Sequence, residues 1–517
     1  MNKRQDYYGF NPYNPPRRLM TANEYRERVD ALGEGRNQTY ATIEFMDKLE
    51  ELRNDLYDMI VYDQSELKVW GTKYYLSNDG DDNNDGLTPE TAWKTLEKAG
   101  SFNFEQGDGV YLRRGDLWRG NLPLQSGVTY QPYGKGEKPK IYYSYNGKTD
   151  AKWIKTDIEN VWVFDRVLDT RDIGLIVFDG GKEYAKKKMQ KSDLQNDLDF
   201  FYSGFRTFKD EEKNEFKAYL YCSKGNPAEV FDEIELSRQG STIPIKNFAH
   251  DILIHNLDVR YGQDFFLTDS SKNIELTYCI LAFMGGHYGG EPVNNGCYGF
   301  GGGGGAWGRC DNMKYDHCFF TMHYDCAVTA QFSRNPNKEH PNWWEVHPVH
   351  FKEFSVNDCL IEYSEYGVEF FYTQYQDSNV LGQPMNDGVY FGYNICRKCE
   401  QGFGEKHGAA KFIRMGNHEN YCVDTVFEKN VFDRSGQVAI EISCYEGDQR
   451  RNQLSYEHMP EMRGNIYVDP MNKKYAIVNG IYYDFNKHSQ KTLEKLGLEK
   501  DSVYVYYITD EVKGELL

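Results

Sequence analysis

The sequence predicts an all-β fold, a parallel β-solenoid preceded by a short helical segment and interrupted by a β-rich insertion. Three observations carry that expectation. Beyond Asn247 a pattern recurs in HDILIHNLDVRYGQDFFLTDS, KNIELTYCILAFMGG, DNMKYDHCFFTMHYDCAVTAQ, FSVNDCLIEYSEYGVEFFYTQ and YCVDTVFEKNVFDRSGQVAIEIS. Each joins an alternating strand, a small polar residue or Cys at a turn, a second strand and a bend into a third. Cys279, Cys318 and Cys359 fall at one repeat position, at intervals of 39 and 41 residues, and Asn430 replaces them in the last unit. Like residues stacked at turns mark stacked coils. Aromatic residues make up 15% of the 517-residue chain, more than a disordered chain carries.

The elements follow in order. Residues 1–70 form an N-terminal extended and helical segment. Its first part is rich in Pro, Asn and Tyr; Thr21 and Glu24 then have capping-box spacing. Ile43, Met46, Leu49, Leu52, Leu56, Met59 and Ile60 recur every three or four residues, which predicts a packed helix, read here as a lid over one end of the coils. Residues 73–149 give short β runs broken by Gly, with a helix around Ala92, Leu96 and Ala99. Within them Asp81, Asn83, Asp85 and Gly86 match the first half of a calcium loop, but Ala92 stands where its twelfth-position acid belongs. A hydrogen-bonded polar turn is therefore expected there. Residues 150–240 are a β-rich insertion, 241–470 the main coils and 471–517 a C-terminal segment. The repeat intervals exceed one bare coil, so long loops leave it, one containing Gly301–Gly305 and another Trp343 and Trp344. No GK[ST] follows the glycines, so they are not a phosphate cradle; close backbone approach to a ligand or a flexible excursion is expected.

Composition narrows the function. With 60 Lys and Arg against 79 Asp and Glu, the net charge of −19 disfavours nucleic acid and anionic membrane as partners. No apolar run approaches the roughly 18 residues of a membrane span. The N-terminus has no apolar signal core, and the 11 cysteines are scattered. Together these predict free thiols and a cytoplasmic protein, or a secreted one if a signal peptide has been removed. Cys396 and Cys399 form a lone CxxC, which is read as free thiols before a zinc site.

The stretch Lys73–Ile141 contains GDDNNDG, PETAWKTLEKA, GDGVYLRRGD, then Gly-Val-Thr and Tyr-Gly, in that order. It resembles the N-terminal cap and first coils of right-handed parallel β-helix proteins of the pectate-lyase-like fold. Region 247–445 resembles the later coils of carbohydrate-active members, in particular the glycoside-hydrolase-like branch with an inserted β-rich segment. The resemblance covers roughly three quarters of the chain. It implies a right-handed helix and a glycan ligand, but lyases, hydrolases, epimerases and tailspikes all use that helix.

Strand parity selects the candidate chemistry. If Val328 points inward, then Asp325, Ala327, Thr329 and Gln331 point out; if Val368 and Phe370 point inward, Glu365, Gly367 and Glu369 point out. Inward Ile440 and Ile442 leave Glu441 outside. Aligning Val328 with Val368 places Glu365 beside Asp325 and Glu369 beside Thr329. Carboxylates on strands about 4.7–4.9 Å apart suit a glycosidase pair, one protonated and one ionised. HYDCAVTAQ also resembles a segment that recurs in glycosidase-like β-helix proteins.

The principal expectation is therefore a glycoside hydrolase cleaving an oligosaccharide with Asp325 and Glu369, and Glu365 as the neighbouring candidate. Gln331, His323, Trp307, Trp343, Trp344 and Glu441 are the expected substrate-binding residues, and His347 and His350 are further hydrogen-bonding candidates. No cofactor or metal is assigned. A polysaccharide lyase or epimerase acting on uronates, using Lys411, His407 or Arg414, is the second reading. A non-catalytic glycan-binding, tailspike-like protein is the third. Sugar, linkage, stereochemical outcome and oligomeric state are not legible in the sequence.

Overall fold

A computed structural model describes residues 10, 14–204, 215–287, 303–307, 310–333, 351–373, 384–399, 402–403, 411–415, 421–443, 445–446, 453–454 and 459–508. Most of them build three long sheets, of ten, eleven and eight strands, called here the first, second and third. Their strands pair parallel, except that Lys474–Val478 meets Ile481–Asp484 antiparallel at the end of the third. Between His250 and Ile442, eighteen strands fall in six circuits of three, one strand per sheet. One circuit is Cys310–Asp316, Phe319–His323 and Cys326–Ser333; the next is Phe351–Asn357, Leu360–Glu362 and Tyr366–Thr373.

Alternation along these strands builds the core. Ile274, Met313 and Phe354 of the first sheet, Leu281, Phe320 and Ile361 of the second, and Val328, Val368 and Ile413 of the third share one buried cluster. Burying such side chains contributes about 1.5–3 kcal/mol each.

Between the first and second sheets the chain turns on single left-handed residues: Tyr278, His317, Asp358, Tyr393 and Lys429, with φ of 54°, 48°, 50°, 56° and 57°. A non-glycine residue there costs roughly 1–2 kcal/mol. The residue that follows each of them offsets this by bonding along the stack. Cys359 Sγ accepts from Cys318 N at 3.3 Å, Asn394 Oδ1 from Cys359 N at 2.9 Å and Asn430 Oδ1 from Asn394 N at 3.1 Å. Asn465 Oδ1 then accepts from Asn430 N at 3.0 Å. The cysteine and Asn430 positions read from the sequence thus lie on one ladder, which also contains Asn394 and Asn465. Replacing Asn430 by Ala leaves the buried Asn394 N–H and Phe391 C=O without this partner. It is expected to cost about 2–4 kcal/mol in denaturant unfolding. Cys359→Ala, which removes only the weak hydrogen bonds a thiol accepts from Cys318 N and donates to Asn357 O, should cost clearly less; equal costs would contradict the ladder.

The N-terminal helices are where the sequence places them. Ala22–Gly33 carries the Thr21–Glu24 capping box, and Ile43–Val61 is capped by Thr42. The second helix is not a lid over one end. Its Phe45, Leu49, Leu52 and Leu56 pack on Ile280, Phe319, Leu360, Ile395 and Val431, along the outer side of the second sheet. That sheet alternates apolar residues toward the core with apolar residues toward the helix, so both its faces are buried. Arg53, 1% exposed, is bound to the equally buried Glu362 at 3.0 and 2.5 Å across this contact.

Residues Ser144–Asn146 through Ile234–Ser237 form a four-stranded antiparallel sheet and a five-stranded, mostly antiparallel one, with their own cluster around Trp153, Phe164, Ile176, Phe200 and Leu220. The polar turn is hydrogen-bonded as expected: Asp81 Oδ1 accepts from Asn83 N at 2.9 Å, and Asp85 Oδ1 from Leu87 N at 3.0 Å. The side chains of eight cysteines are described; all are buried and unbridged, Cys396 and Cys399 included.

Candidate active site

The second sheet is covered by a helix, while the third carries polar side chains away from the core. Its register is Val328 to Val368 to Ile413 to Ile440, and beside it Thr329 to Glu369 to Arg414 to Glu441. The alignment of Val328 with Val368, and of Glu369 with Thr329, is as the sequence implies. Strict alternation, however, fails at the start of these strands. Ala327 and Val328 both belong to the core, as do Phe412 with Ile413 and Ala439 with Ile440. Ala327 is thus not outward, because the chain enters the third sheet round a corner where two successive residues face in. Cys326 joins Glu369 instead of lying opposite it.

Oxygens of Asp325 and Glu369 and the sulfur of Cys326 lie within 4.8 Å of one another. Glu369, 3% exposed, is held on both sides: Gln331 Nε2 donates to Oε2 at 2.5 Å and Arg414 Nη1 to Oε1 at 2.5 Å. Both are bonds to an ionised carboxylate. Asp325 sits in the bend before its strand; burial of its carboxyl raises its pKa to about 6, with Arg414 pulling the other way. Next to the pair, Lys411 Nζ meets Glu441 Oε2 at 2.5 Å, and the Arg414 and Lys411 cations lie 5.4 and 5.6 Å from the centre of the Tyr366 ring. The site therefore has one carboxyl biased towards its neutral form beside one clamped as an anion.

The other expected residues divide. Glu365 is buried at the corner, where Tyr366 N donates to Asp325 O at 3.0 Å and Lys411 N to Glu365 O at 3.1 Å, so backbone adjacency to Asp325 holds. Gln331 binds Glu369, and Glu441 lies two strands beyond it, paired to Lys411. His323 is not on the sheet's outer face: it is fully buried, its Nε2 lies 3.1 Å from Leu281 O, and burial pushes its imidazole down to about 3. It is a structural residue at the corner. Trp307 pairs in register with Gln331. Trp343, Trp344, His347, His350 and His407 lie outside the described residues, as do Gly301 and Gly302. Gly303–Gly305 lie tight against the neighbouring strand: a Cβ on Gly305 would come within 2.2 Å of Thr329 O.

Arg414, weighed in the sequence only for a uronate enzyme, is the partner of Glu369. The signal for it was available: KFIRM aligns with YGVEF once the unit 384–415 is recognised as a circuit of its own. Cys326 and Tyr366 were hidden by the broken alternation.

No family model matches the chain, and no curated protein matches it. Among solved structures, the chain is similar to a GH136 lacto-N-biosidase from Eubacterium ramulus at 13% identity and a TM-score of 0.40, covering 90% of this chain and 70% of that one. It is similar to XylC in complex with xylose at 10% identity and 0.38, covering 80% and 87%. It is also similar to an alginate lyase from Paenibacillus sp. str. FPU-7 at 9% identity and 0.35, covering 74% and 88%. Likenesses this distant carry no argument about what the chain acts on.

Proposed function

We propose that the chain is a glycoside hydrolase acting on an oligosaccharide, with its three sheets as the faces of a right-handed parallel β-helix. The observation that carries the reading is the approach of Asp325 and Glu369 oxygens within 4.8 Å, in opposite electrostatic surroundings. Such a spacing suits a retaining enzyme, whose carboxyls lie about 5–5.5 Å apart, better than an inverting one at about 6.5–9.5 Å. Asp325 is the general acid: it gives its proton to the glycosidic oxygen as that bond to the anomeric carbon breaks. Glu369, held by Gln331 and Arg414, attacks the same carbon to form a glycosyl ester. Asp325, now ionised, takes a proton from water, which hydrolyses the ester and restores both groups. Lys411 and Arg414 are each paired with a carboxylate, which favours this reading over a uronate lyase.

The test is a panel of oligosaccharides, neutral and uronate-containing, assayed for both reducing ends and unsaturated products. New reducing ends without unsaturation are expected; unsaturated uronate products would overturn the reading in favour of elimination. The pH dependence has a defined sign. Asp325 must hold its proton, so kcat/KM should fall as pH rises through about 6. Asp325→Glu, which alters the acid, should move that limb, whereas a limb that stays fixed belongs to another group.

A further inference from the structure

We propose that Tyr366 is a further substrate-contacting residue of this site, its hydroxyl donating a hydrogen bond to a hydroxyl of the neutral sugar unit whose anomeric carbon lies between Asp325 and Glu369. This role rests on the hydrolase reading. The corner that turns Ala327 inward also decides where Tyr366 goes. Strict alternation from Val368 would send its side chain into the core. It stands in register between Cys326 and Lys411, and it is only 2% exposed. Yet, like Cys326, it belongs to none of the apolar clusters of the described residues.

Its ring is held by the charges of the site. The Arg414 and Lys411 cations lie 5.4 and 5.6 Å from the ring centre, and they are the partners of Glu369 and Glu441. Contacts of this kind attract a cation to an aromatic face. The hydroxyl is the independent observation: among the described residues it makes no hydrogen bond. A buried tyrosine hydroxyl usually has a partner, and one without it costs free energy. Burial holds this phenol well above the usual tyrosine range; Arg414 pulls it down, and Glu365, Asp325 and Glu369 push it up. It therefore keeps its proton and offers a donor beside both carboxyls of the pair. A neutral sugar hydroxyl supplies the acceptor. An anionic sugar would meet Glu365, Glu369 and Glu441 while Lys411 and Arg414 are already engaged.

The experiment compares the full chain with its Tyr366→Phe variant, which keeps the ring and removes only the hydroxyl. The probes are the neutral oligosaccharide of the panel that the chain binds most tightly and its monodeoxy analogues in the unit bearing the scissile bond. Since the hydroxyl has no protein partner to lose, Tyr366→Phe should unfold at the wild-type temperature. On the parent oligosaccharide kcat/KM should fall by about 10–100-fold, the size of one buried hydrogen bond. Most of the loss should be in kcat, because hydrogen bonds beside the reacting carbon strengthen in the transition state. On one analogue, the one lacking the contacted hydroxyl, wild type and variant should be equal. The limb of kcat/KM near pH 6 should stay in place, because the phenol is not the acid. Unchanged kcat/KM on the parent, a deficit that persists on every analogue, or a lowered unfolding temperature overturns the proposal. Calorimetric binding of the same oligosaccharides separates this role from the reading beneath it. If they bind without turnover and Tyr366→Phe weakens the parent but not one analogue, only the hydrolase reading fails. If they are hydrolysed equally by both proteins, only the role of Tyr366 fails. A chain that binds no oligosaccharide overturns both.

Discussion

Asp325→Asn and Glu369→Gln are each expected to lower kcat by about 10²–10⁴-fold with little change in substrate affinity. An amide keeps the shape of a carboxyl and most of its hydrogen bonding. It cannot donate an acid proton at position 325, nor form a glycosyl ester at 369. The stability of the two variants should differ in an informative way. Burial raises the Asp325 pKa from 3.8 to about 6, so ionising Asp325 opposes folding. That cost is absent below about pH 4, where both states hold the proton, and complete above about pH 6. Asp325→Asn should therefore match the wild type at pH 4 and be more stable by about 1–3 kcal/mol at pH 7. Glu369→Gln leaves the Arg414 guanidinium without this carboxylate and should be destabilised at both pH values. Glu365→Gln serves as the neighbouring control and should cost less activity than either. Should Glu365→Gln abolish turnover while Glu369→Gln leaves it intact, the working pair is Asp325 with Glu365. Should all three variants stay active, the site lies elsewhere.

The fold and this site were legible to different depths, for physical reasons. Periodicity exposes whatever alternates, so the strands of five units, the cysteine positions and the column Val328, Val368, Ile440 could be read directly. The unit 384–415 escaped because residues 398–410 separate its second strand, Ile395–Arg397, from its third, Lys411–Met415, and hide the form of the unit. Missing that circuit left Arg414 unplaced, where the structure sets it between Glu369 and Glu441. The interaction that fixes the charge of Glu369 was lost with it. Ala327 misled for a different reason: a corner breaks the two-residue period, and nothing in an Ala-Val pair announces which residue starts the strand. His323 was the opposite failure, since a polar side chain beside the candidate acid looks like a ligand-binding residue but satisfies a carbonyl in the core. The lid was misjudged because an amphipathic helix specifies an apolar partner, not which apolar surface supplies it. That surface is encoded in the second sheet, where pairs such as Phe319 with Phe320 are apolar toward both sides.

The same register gives the largest expected effect on stability, one residue away from the proposed nucleophile. Val368 is fully buried between Val328 and Ile413, in the cluster that links all three sheets. In Val368→Asp the new carboxyl finds apolar side chains on this side of the sheet. Ionised, it is a buried charge without a partner; protonated, it still leaves its polar atoms unsatisfied. A loss of about 4 kcal/mol or more is expected in denaturant unfolding, large against the about 5–15 kcal/mol total of a typical folded domain. Val368→Ala, which only opens a cavity, should cost about 2 kcal/mol and keep the fold. The contrast with Glu369 is what makes the pair of experiments decisive. Successive residues of a strand face opposite sides, so position 368 should govern stability and position 369 turnover. If Val368→Asp unfolds within about 1 kcal/mol of the wild type, Val368 does not face the core. A one-residue slip would then turn Glu369 inward, and the catalytic pair would be lost along with the register.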